Sequence, residues 1–420
     1  TTSSAASDVY KRQIISGKCY IERLMKNYDW IVVGGGITGA ALSYELAKKG
    51  FAVLLLEKYS TLNNATRYSY ASLPYWLGNT DLIKQLVQEG KQRHHCLSEE
   101  LEADTQFREL DLLLTIAPED DPGKIATNFS KYNILPRLIS VEEAFEMEPL
   151  LNKEAIAGAF TVSQGHVSPE AITLGYFQAF TRLGGQIEII EVTGFVKTGD
   201  NARITGVYTK SKTYHTANVV ICAGGISRHF LKSAGISTRV YFTHAEMLET
   251  PPVELQLKTI VLPALTSRLN YEIATSTVER EKMWDEPGHE FVPFSLDPGA
   301  IQFKNSSIRI GQISRVLTDP YAKVDPIQSE ATMRVEIGKV LPALEDLPAT
   351  WHHCLVAYSA DDLPLIGAIP NLEGIHIFSG FSSPFTLVPP LAKRFANYVA
   401  GENDEICLLY TSDAADDVVG

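Results

Sequence analysis

One stretch constrains this chain more than any other: residues 28–58, YDWIVVGGGITGAALSYELAKKGFAVLLLEK. It opens with the apolar run WIVV at 30–33, rich in Val and Ile, which predicts a strand buried on both faces. Gly34, Gly36 and Gly39 follow at the spacing G-x-G-x-x-G. Residues 40–49 then repeat with helical period, and Gly50 stands where a helix would end. A second apolar strand over 52–56 leads into Glu57, eighteen residues beyond Gly39.

Each part has a physical role. Gly34 permits the tight turn out of the strand, Gly36 lets the backbone approach a pyrophosphate, and Gly39 lets helix and strand pack closely. The helix N-terminus offers N–H groups and a positive dipole end to the phosphates. Glu57 suits a carboxylate that bonds a ribose hydroxyl. Ile37 and Thr38, between the last two glycines, and Lys58, after the acid, are counted with this dinucleotide site. The glycine motif alone is weak evidence; strand, glycines, helix, second strand and terminal acid in order are strong. An ordinary βαβ unit with a glycine-rich turn would not explain the acid.

The rest of the composition narrows the class. The 420 residues suffice for two or three lobes, with 45% hydrophobic and 21% charged residues, as in a globular protein. A net charge of -13 disfavours nucleic acid as a partner, which needs a basic surface. No apolar run reaches membrane-spanning length and no secretory signal is read. The five cysteines, Cys19, Cys96, Cys222, Cys354 and Cys407, include no C-x-x-C pair. Such a sparse, odd set fits a reducing, cytoplasmic setting and argues against a structural zinc site or a dithiol redox pair. His94, His95, His352 and His353 lack a carboxylate or cysteine at ligand spacing, so no metal is expected. Residues 1–13 and 407–420 read as non-native tails and are set aside.

Further along, Thr80 predicts the cap of a long helix to about Glu102, and Ser140 with Glu143 a capping box. Ser168 and Pro169 predict the start of another helix. Residues 117–123 read as a turn. Short alternating segments at 187–195, 203–209 and 213–216 predict an antiparallel meander, and 218–222 a buried strand into Ala223, Gly224 and Gly225. Residues 238–313 read mostly as strands of a second lobe. A last buried strand at 375–378 and a helix at 387–400 close the chain. The fold class is thus mixed α/β. A Rossmann-type lobe, discontinuous over 28–80, 155–235 and 355–402, holds the dinucleotide, and an antiparallel-sheet lobe over 81–154 and 236–354 is threaded between its pieces.

Four segments in this order, the opening βαβ unit, NVVICAGGIS, YSADDLPLIGAIP and GIHIFSGFSSPFTLVPPLAKRFANYVAG, resemble the FAD-dependent D-amino-acid oxidase superfamily, especially its glycine oxidase, sarcosine oxidase and D-amino-acid dehydrogenase-like branch. The resemblance implies FAD as the cofactor, held non-covalently, and a substrate lobe whose sheet covers the flavin ring. Carried over by position, Thr66, Arg67 and Ser69 fall on the loop passing the pyrophosphate and flavin, and Val192 on the segment near adenine. Ala223 and Gly224 fall at the turn beside the cofactor. Asp361 opens the D-x-x-P segment, and Gly380, Phe385 and Thr386 lie near the pyrimidine edge. For Arg67 a structural ion pair is the competing reading, and for Asp361 a turn before proline.

Two departures bear on function. Where relatives often carry an arginine that grips the substrate carboxylate, this chain has Val356, which makes Arg309 and Arg315 the replacements to test; surface charge is the competing reading. The loop GFSSPFT is shorter than in relatives, and Pro384 removes a backbone donor. Cys354 matches the position that carries flavin covalently in monomeric sarcosine oxidases; the competing reading is a buried thiol. Tyr271 and Tyr358 are candidates for contacts over the ring, against a packing role. The expected activity is oxidation of a C–N bond of an amino acid or secondary amine, by hydride transfer to flavin N5 with hydrolysis of the imine, and with oxygen or an electron carrier as acceptor. The alternatives are a flavin dehydrogenase acting on the C–O bond of a hydroxy acid or polyol phosphate, and a flavoprotein with a binding or tRNA-modification role.

Overall fold

The computed structural model describes residues 28–199, 203–360 and 363–404. The opening unit runs β1 (Tyr28–Val33), α1 (Ile37–Lys48), β2 (Val53–Glu57). A loop then leads through the short β3 (Ser72–Leu73) into α2 (Asp81–Leu101). Thr80 caps α2, its side chain accepting from Ile83 N. Next come β4 (Arg108–Ile116), α3 (Pro122–Phe129), β5 (Arg137–Ile139), α4 (Val141–Met147) with the Ser140–Glu143 capping box complete, and β6 (Gly158–His166). Helix α5 (Pro169–Arg182) starts on the Ser168 cap, and β7 (Gln186–Ile189) follows. The meander is β8 (Val192–Thr198), β9 (Arg203–Thr209) and β10 (Thr213–Ile221), and α6 (Ser227–Ser233) follows. The second lobe continues with β11 (Tyr241–Glu249), β12 (Ile260–Pro263), α7 (Ser267–Thr275), β13 (Ser295–Gln302), β14 (Ile308–Arg315), α8 (Pro326–Val340) and β15 (Thr350–Tyr358). The chain returns through β16 (Leu365–Ala368), β17 (Ile375–Ser379) and α9 (Pro384–Val399).

Two sheets result. In the first, β17, β10, β1, β2 and β7 are parallel in that order, with β16 antiparallel on the edge. Its central strands are apolar on both faces because both are covered. Trp30, Val32 and Leu55 pack on α1, α5 and α9 through Leu42, Tyr176 and Phe395, while Ile31, Val33 and Leu54 pack on the meander through Phe195, Ile204 and Val207. Val33 pairs with both Leu56 and Ile221, and Ile221 with Ile377, so these strands end level and their following turns share one rim. That rim is where an open parallel sheet receives a ligand.

The second sheet runs β15-β11-β14-β13-β12-β4-β6-β3, with β5 beside β6. Two segments sit differently from the sequence division. Leu86, Val87 and Leu97 of α2 belong to the core of the first lobe, against α9. Strand β6 pairs along its whole length with β4 in the second sheet. Helix α7 also stands where the sequence reads as strand, and α3 follows directly on the turn read at 117–123.

Candidate functional site

The glycine turn closes on the rim of the first sheet. Gly34 has φ +107°, and a Cβ there would lie 2.5 Å from Cys222 O. A Cβ on Gly39 would stand 1.8 Å from Gly34 O, so only glycine lets α1 start this close to β1. Gly36 is the N-cap of α1 and offers no side chain to its first turn. Thr66 from the following loop accepts a hydrogen bond from Ile37 N at 3.0 Å, and Thr38 Oγ1 donates to Cys222 O at 3.3 Å. Glu57 reaches back over the turn: Oε2 accepts from Gly35 N at 2.5 Å and Oε1 from Tyr59 N at 2.9 Å. Lys58 instead pairs with Glu191 at the surface, 2.8 Å away, beside Val192 at the start of β8.

The other rim positions close around the same edge. Ala223 and Gly224, φ +56°, form the turn after β10, and Gly380, φ +85°, the turn after β17. Phe385 and Thr386 are buried in the first turn of α9. Asp361 lies outside the described residues.

These residues fit FAD. The hydroxyl oxygens of Ser359, beside Gly380, and of Thr386 are buried without a hydrogen-bond partner among the described residues, as expected of groups that meet a polar ring edge. Among the described residues neither α1 nor α9 has a side-chain cap hydrogen bond from its N-cap residue, and a helix N-terminus suits an anionic ligand. Gly34, Gly36 and Gly39 would hold the pyrophosphate and Glu57 the ribose.

Several cations expected to meet ligands are engaged elsewhere. Arg67 binds Glu249 through both Nη atoms, at 3.0 and 2.8 Å, and Glu170 through Nε at 2.8 Å. Each of the three guanidinium nitrogens thus already meets a carboxylate, as a structural ion pair requires. Arg309, 1% exposed, contacts Glu249 at 3.1 Å and Glu170 at 3.3 Å and donates to Ser69 O. His352 stands 3.5 Å from Glu249 and stacks on Tyr68. Burial raises the Glu249 carboxyl, but the His352 and Arg67 hydrogen bonds and the Arg309 charge outweigh it and hold it well below the usual carboxylate range. Ser69 and Arg67 thus tie the post-β2 loop to the second sheet.

Register separates the two arginines proposed for substrate. In β11 and β15, Thr243, Ala245 and Met247 stand opposite Val356, Cys354 and His352 and share one face, the face toward the Arg67 loop. Arg315 is on the other face, under α8, 2.8 Å from buried Glu246, to which Trp351 also donates at 3.0 Å. Arg309 is thus tied to two carboxylates, and Arg315 lies on the face away from the Arg67 loop. Tyr358 is a core residue, packed on Tyr241 and Trp284, with its hydroxyl 3.1 Å from Thr275. Tyr271 packs partly buried against the same cluster.

The second lobe brings two residues that sequence reasoning missed to the site face, Arg268 and Glu272 of α7. Arg268 Nε donates to Glu272 Oε1 at 2.7 Å, and Thr243 Oγ1 donates to the same oxygen at 2.7 Å. Among the described residues Glu272 Oε2 is buried with no partner and the Arg268 Nη atoms bond nothing. Burial works against the Arg268 charge, but the Glu272 carboxylate outweighs it. Burial pushes the Cys354 thiol up to about 12 against the pull of Arg268 and Arg309, which places all three in one neighbourhood. Sequence pattern hides α7 because the helix is inverted. Leu269 and Ile273 of α7, and Leu265 just before it, face solvent at 44%, 56% and 46% exposure, while Glu272 and Thr275 face inward. A charged pair at i, i+4 was the available signal.

Comparison with known proteins decides the family. A family model for FAD dependent oxidoreductases (DAO) matches residues 29–398. The chain belongs to the DAO family of FAD dependent oxidoreductases. This DAO enzyme is 22% identical over 407 residues to the uncharacterized oxidoreductase YurR of Bacillus subtilis, covering 91% of this chain and 97% of that one. Among solved structures, glycine oxidase from Geobacillus kaustophilus superposes with a TM-score of 0.71 at 20% identity, over 90% of this chain and 96% of the other. L-proline dehydrogenase from P. horikoshii gives 0.71 at 21%, over 92% and 97%. These likenesses establish the fold, and the family makes FAD the cofactor. Among the described residues no helix of the DAO enzyme is long and apolar enough to cross a membrane.

Proposed function

We propose that this DAO enzyme oxidises the C–N bond of a carboxylate-bearing amine, an amino acid or secondary amine, with Arg268 as the carboxylate anchor. One observation carries the reading: a charged guanidinium on the site face, fixed through Nε by Glu272 and with both Nη atoms unbonded among the described residues. Such a fork suits a carboxylate, and its position is locked before the substrate arrives. It supplies what Val356 does not. The substrate oxidation reported in the names of glycine oxidase and L-proline dehydrogenase accords with the same reading. FAD, when bound, accepts the hydride from the substrate carbon, and the resulting imine hydrolyses in water. The protein's part is to hold the carboxylate on Arg268, close the ring face with the second sheet, and keep the lobes docked through Arg67, Glu249, Glu170 and Arg309.

Arg268→Met should raise KM for amino acids by about 10- to 100-fold, the worth of a lost charge-assisted hydrogen-bond pair, with a smaller change in kcat. Anaerobic flavin reduction by amino acids but not by hydroxy acids separates this activity from C–O oxidation; the reverse preference would reject it. We read the flavin as non-covalent, since burial keeps the Cys354 thiol protonated and the thiolate is the nucleophile. Acid precipitation should leave the yellow colour in solution, and colour in the pellet would contradict this.

A further inference from the structure

One short segment joins the cofactor turn to the second sheet. Residues 64–69 fold into a compact turn: Tyr68 N donates to Asn64 O at 3.2 Å, Ser69 N to Thr66 O at 3.4 Å, and Arg67 N to Asn64 Oδ1 at 3.3 Å. One side of this turn is seated on the glycine motif. Thr66 Oγ1 accepts from Ile37 N at 3.0 Å, and a Cβ on Gly36 would come within 3.0 Å of Thr66 Oγ1 and 3.9 Å of Asn64 Nδ2. The turn therefore takes up one of the free N–H groups that open α1 and stands beside the rest.

The other side of the turn reaches the second lobe. Both Nη atoms of Arg67 donate to Glu249 at the end of β11, at 3.0 and 2.8 Å, and a fork of this kind fixes direction as well as distance. Glu249 is held in turn by its own sheet. Arg309, its register partner on β14, stands 3.1 Å from Oε1, and His352 of β15 stands 3.5 Å from Oε2. Tyr68, next to Arg67, stacks on His352 with ring centroids 4.4 Å apart, and Arg309 donates to Ser69 O. Side chains from three strands of the second sheet thus converge on the carboxylate that grips the turn.

We propose that Glu249 is a positioning residue for FAD: from the second lobe, and through Arg67, it holds the 64–69 turn on the glycine motif and so sets how tightly the cofactor is bound. This rests on the glycine motif as the pyrophosphate site and on a non-covalent flavin. A turn that is ordered before FAD arrives costs nothing to order on binding, whereas a turn released from Glu249 must be fixed again at the expense of affinity. Removing Glu249 also frees the Arg67 charge toward an anion, which acts in the opposite direction. The sign of the change in affinity therefore separates a positioning carboxylate from a competing counter-ion.

The test is release of FAD from the holoenzyme on dilution, followed by the fluorescence of the freed flavin, in wild type, Glu249→Gln, Arg67→Met and the double variant. It is run at a temperature at which each chain is folded by circular dichroism, so that global stability does not enter the dissociation constant. Each single variant should raise the Kd for FAD by about 10- to 100-fold, and the double variant no further, because both changes break one link. Arg67→Met leaves Glu249 paired with Arg309, so it tests the link even if Glu249→Gln, which strips a partner from buried Arg309, does not fold. A second readout needs no release of flavin. Amide hydrogen exchange in the holoenzyme at Ile37, Arg67, Tyr68 and Ser69 should be about 10-fold faster in either variant. An unchanged or tighter Kd, losses that add in the double variant, or wild-type exchange rates at the turn would each overturn the proposal. Flavin that stays with the acid-precipitated chain overturns the non-covalent reading instead, and exchange at the turn then decides the link by itself.

Discussion

Gly39 admits no side chain. The 1.8 Å separation between an added Cβ and Gly34 O is backbone against a fixed helix start, and neither partner has a rotamer to yield. Gly39→Ala should therefore shift α1 off β1, cost about 3 kcal/mol or more, and empty the cofactor site. Thermal unfolding and flavin content per chain check this, and a variant with full flavin and an unchanged Tm would contradict it. At this scale the sequence was most readable where a motif answers to backbone geometry, as at Gly34, Gly39 and Glu57, because spacing alone dictates the contact. It was least readable for side chains whose role depends on partners far along the chain. Arg67 and Arg309 look like ligand-binding cations until Glu170 and Glu249 are seen to meet both, and no spacing links residues 67, 170, 249 and 309.

Helix α9 shows how elements hold the site. Pro389 and Pro390 lie inside it and remove two N–H groups, which frees the carbonyls one turn earlier, Phe385 O and Thr386 O. Helix α2 lies against both. His94 Nε2 donates to Phe385 O at 2.7 Å, and Gly90 lets the backbone of α2 lie against Thr386 O, which an added Cβ would approach to 2.2 Å. The prolines are thus tolerated because a neighbouring helix supplies a donor and a gap. Gly90→Ala should destabilise by about 1–3 kcal/mol and loosen the first turn of α9, where Thr386 lies. A lower Tm with weaker FAD retention is the expected pair of effects; weaker retention without a stability change would point to a direct cofactor contact instead. Capped helices such as α2 and α5 were legible because their caps are local. Helix α7 was not, because its apolar side faces solvent and its polar side faces the site, so the usual inward reading of an apolar stripe fails where function needs polar groups inside.

Acid should unfold this protein more steeply than its surface charge suggests. His94, His244 and His376 are held at about 4 and His166 at about 3, with His353 also lowered, in each case first by burial. In the unfolded chain each takes a proton near the ordinary value of about 6.5. Between pH 6.5 and 4 the unfolded state therefore binds more protons, and stability present above 6.5 is lost as pH falls. Two acids whose carboxyls are raised oppose this. Asp297, raised to about 6, and Glu45, also raised by burial, bind protons in the folded state first and add stability as pH falls through their window. Five histidines against two acids leave a net uptake of about three protons on unfolding, a slope of roughly 4 kcal/mol per pH unit at its steepest. Below about pH 4.5 Glu100, held at about 2 because the Arg93 and Lys48 hydrogen bonds outweigh the effect of burial, and Glu249 extend the loss. Thermal unfolding of the holoenzyme in steps from pH 7 to pH 4.5 should show a Tm that falls progressively. The histidines sit on both lobes, His94 and His376 around α9 and His166, His244 and His353 on the second sheet, so the decline should appear as loss of the whole fold. A Tm flat across that range would mean that these imidazoles are solvated enough to charge in place.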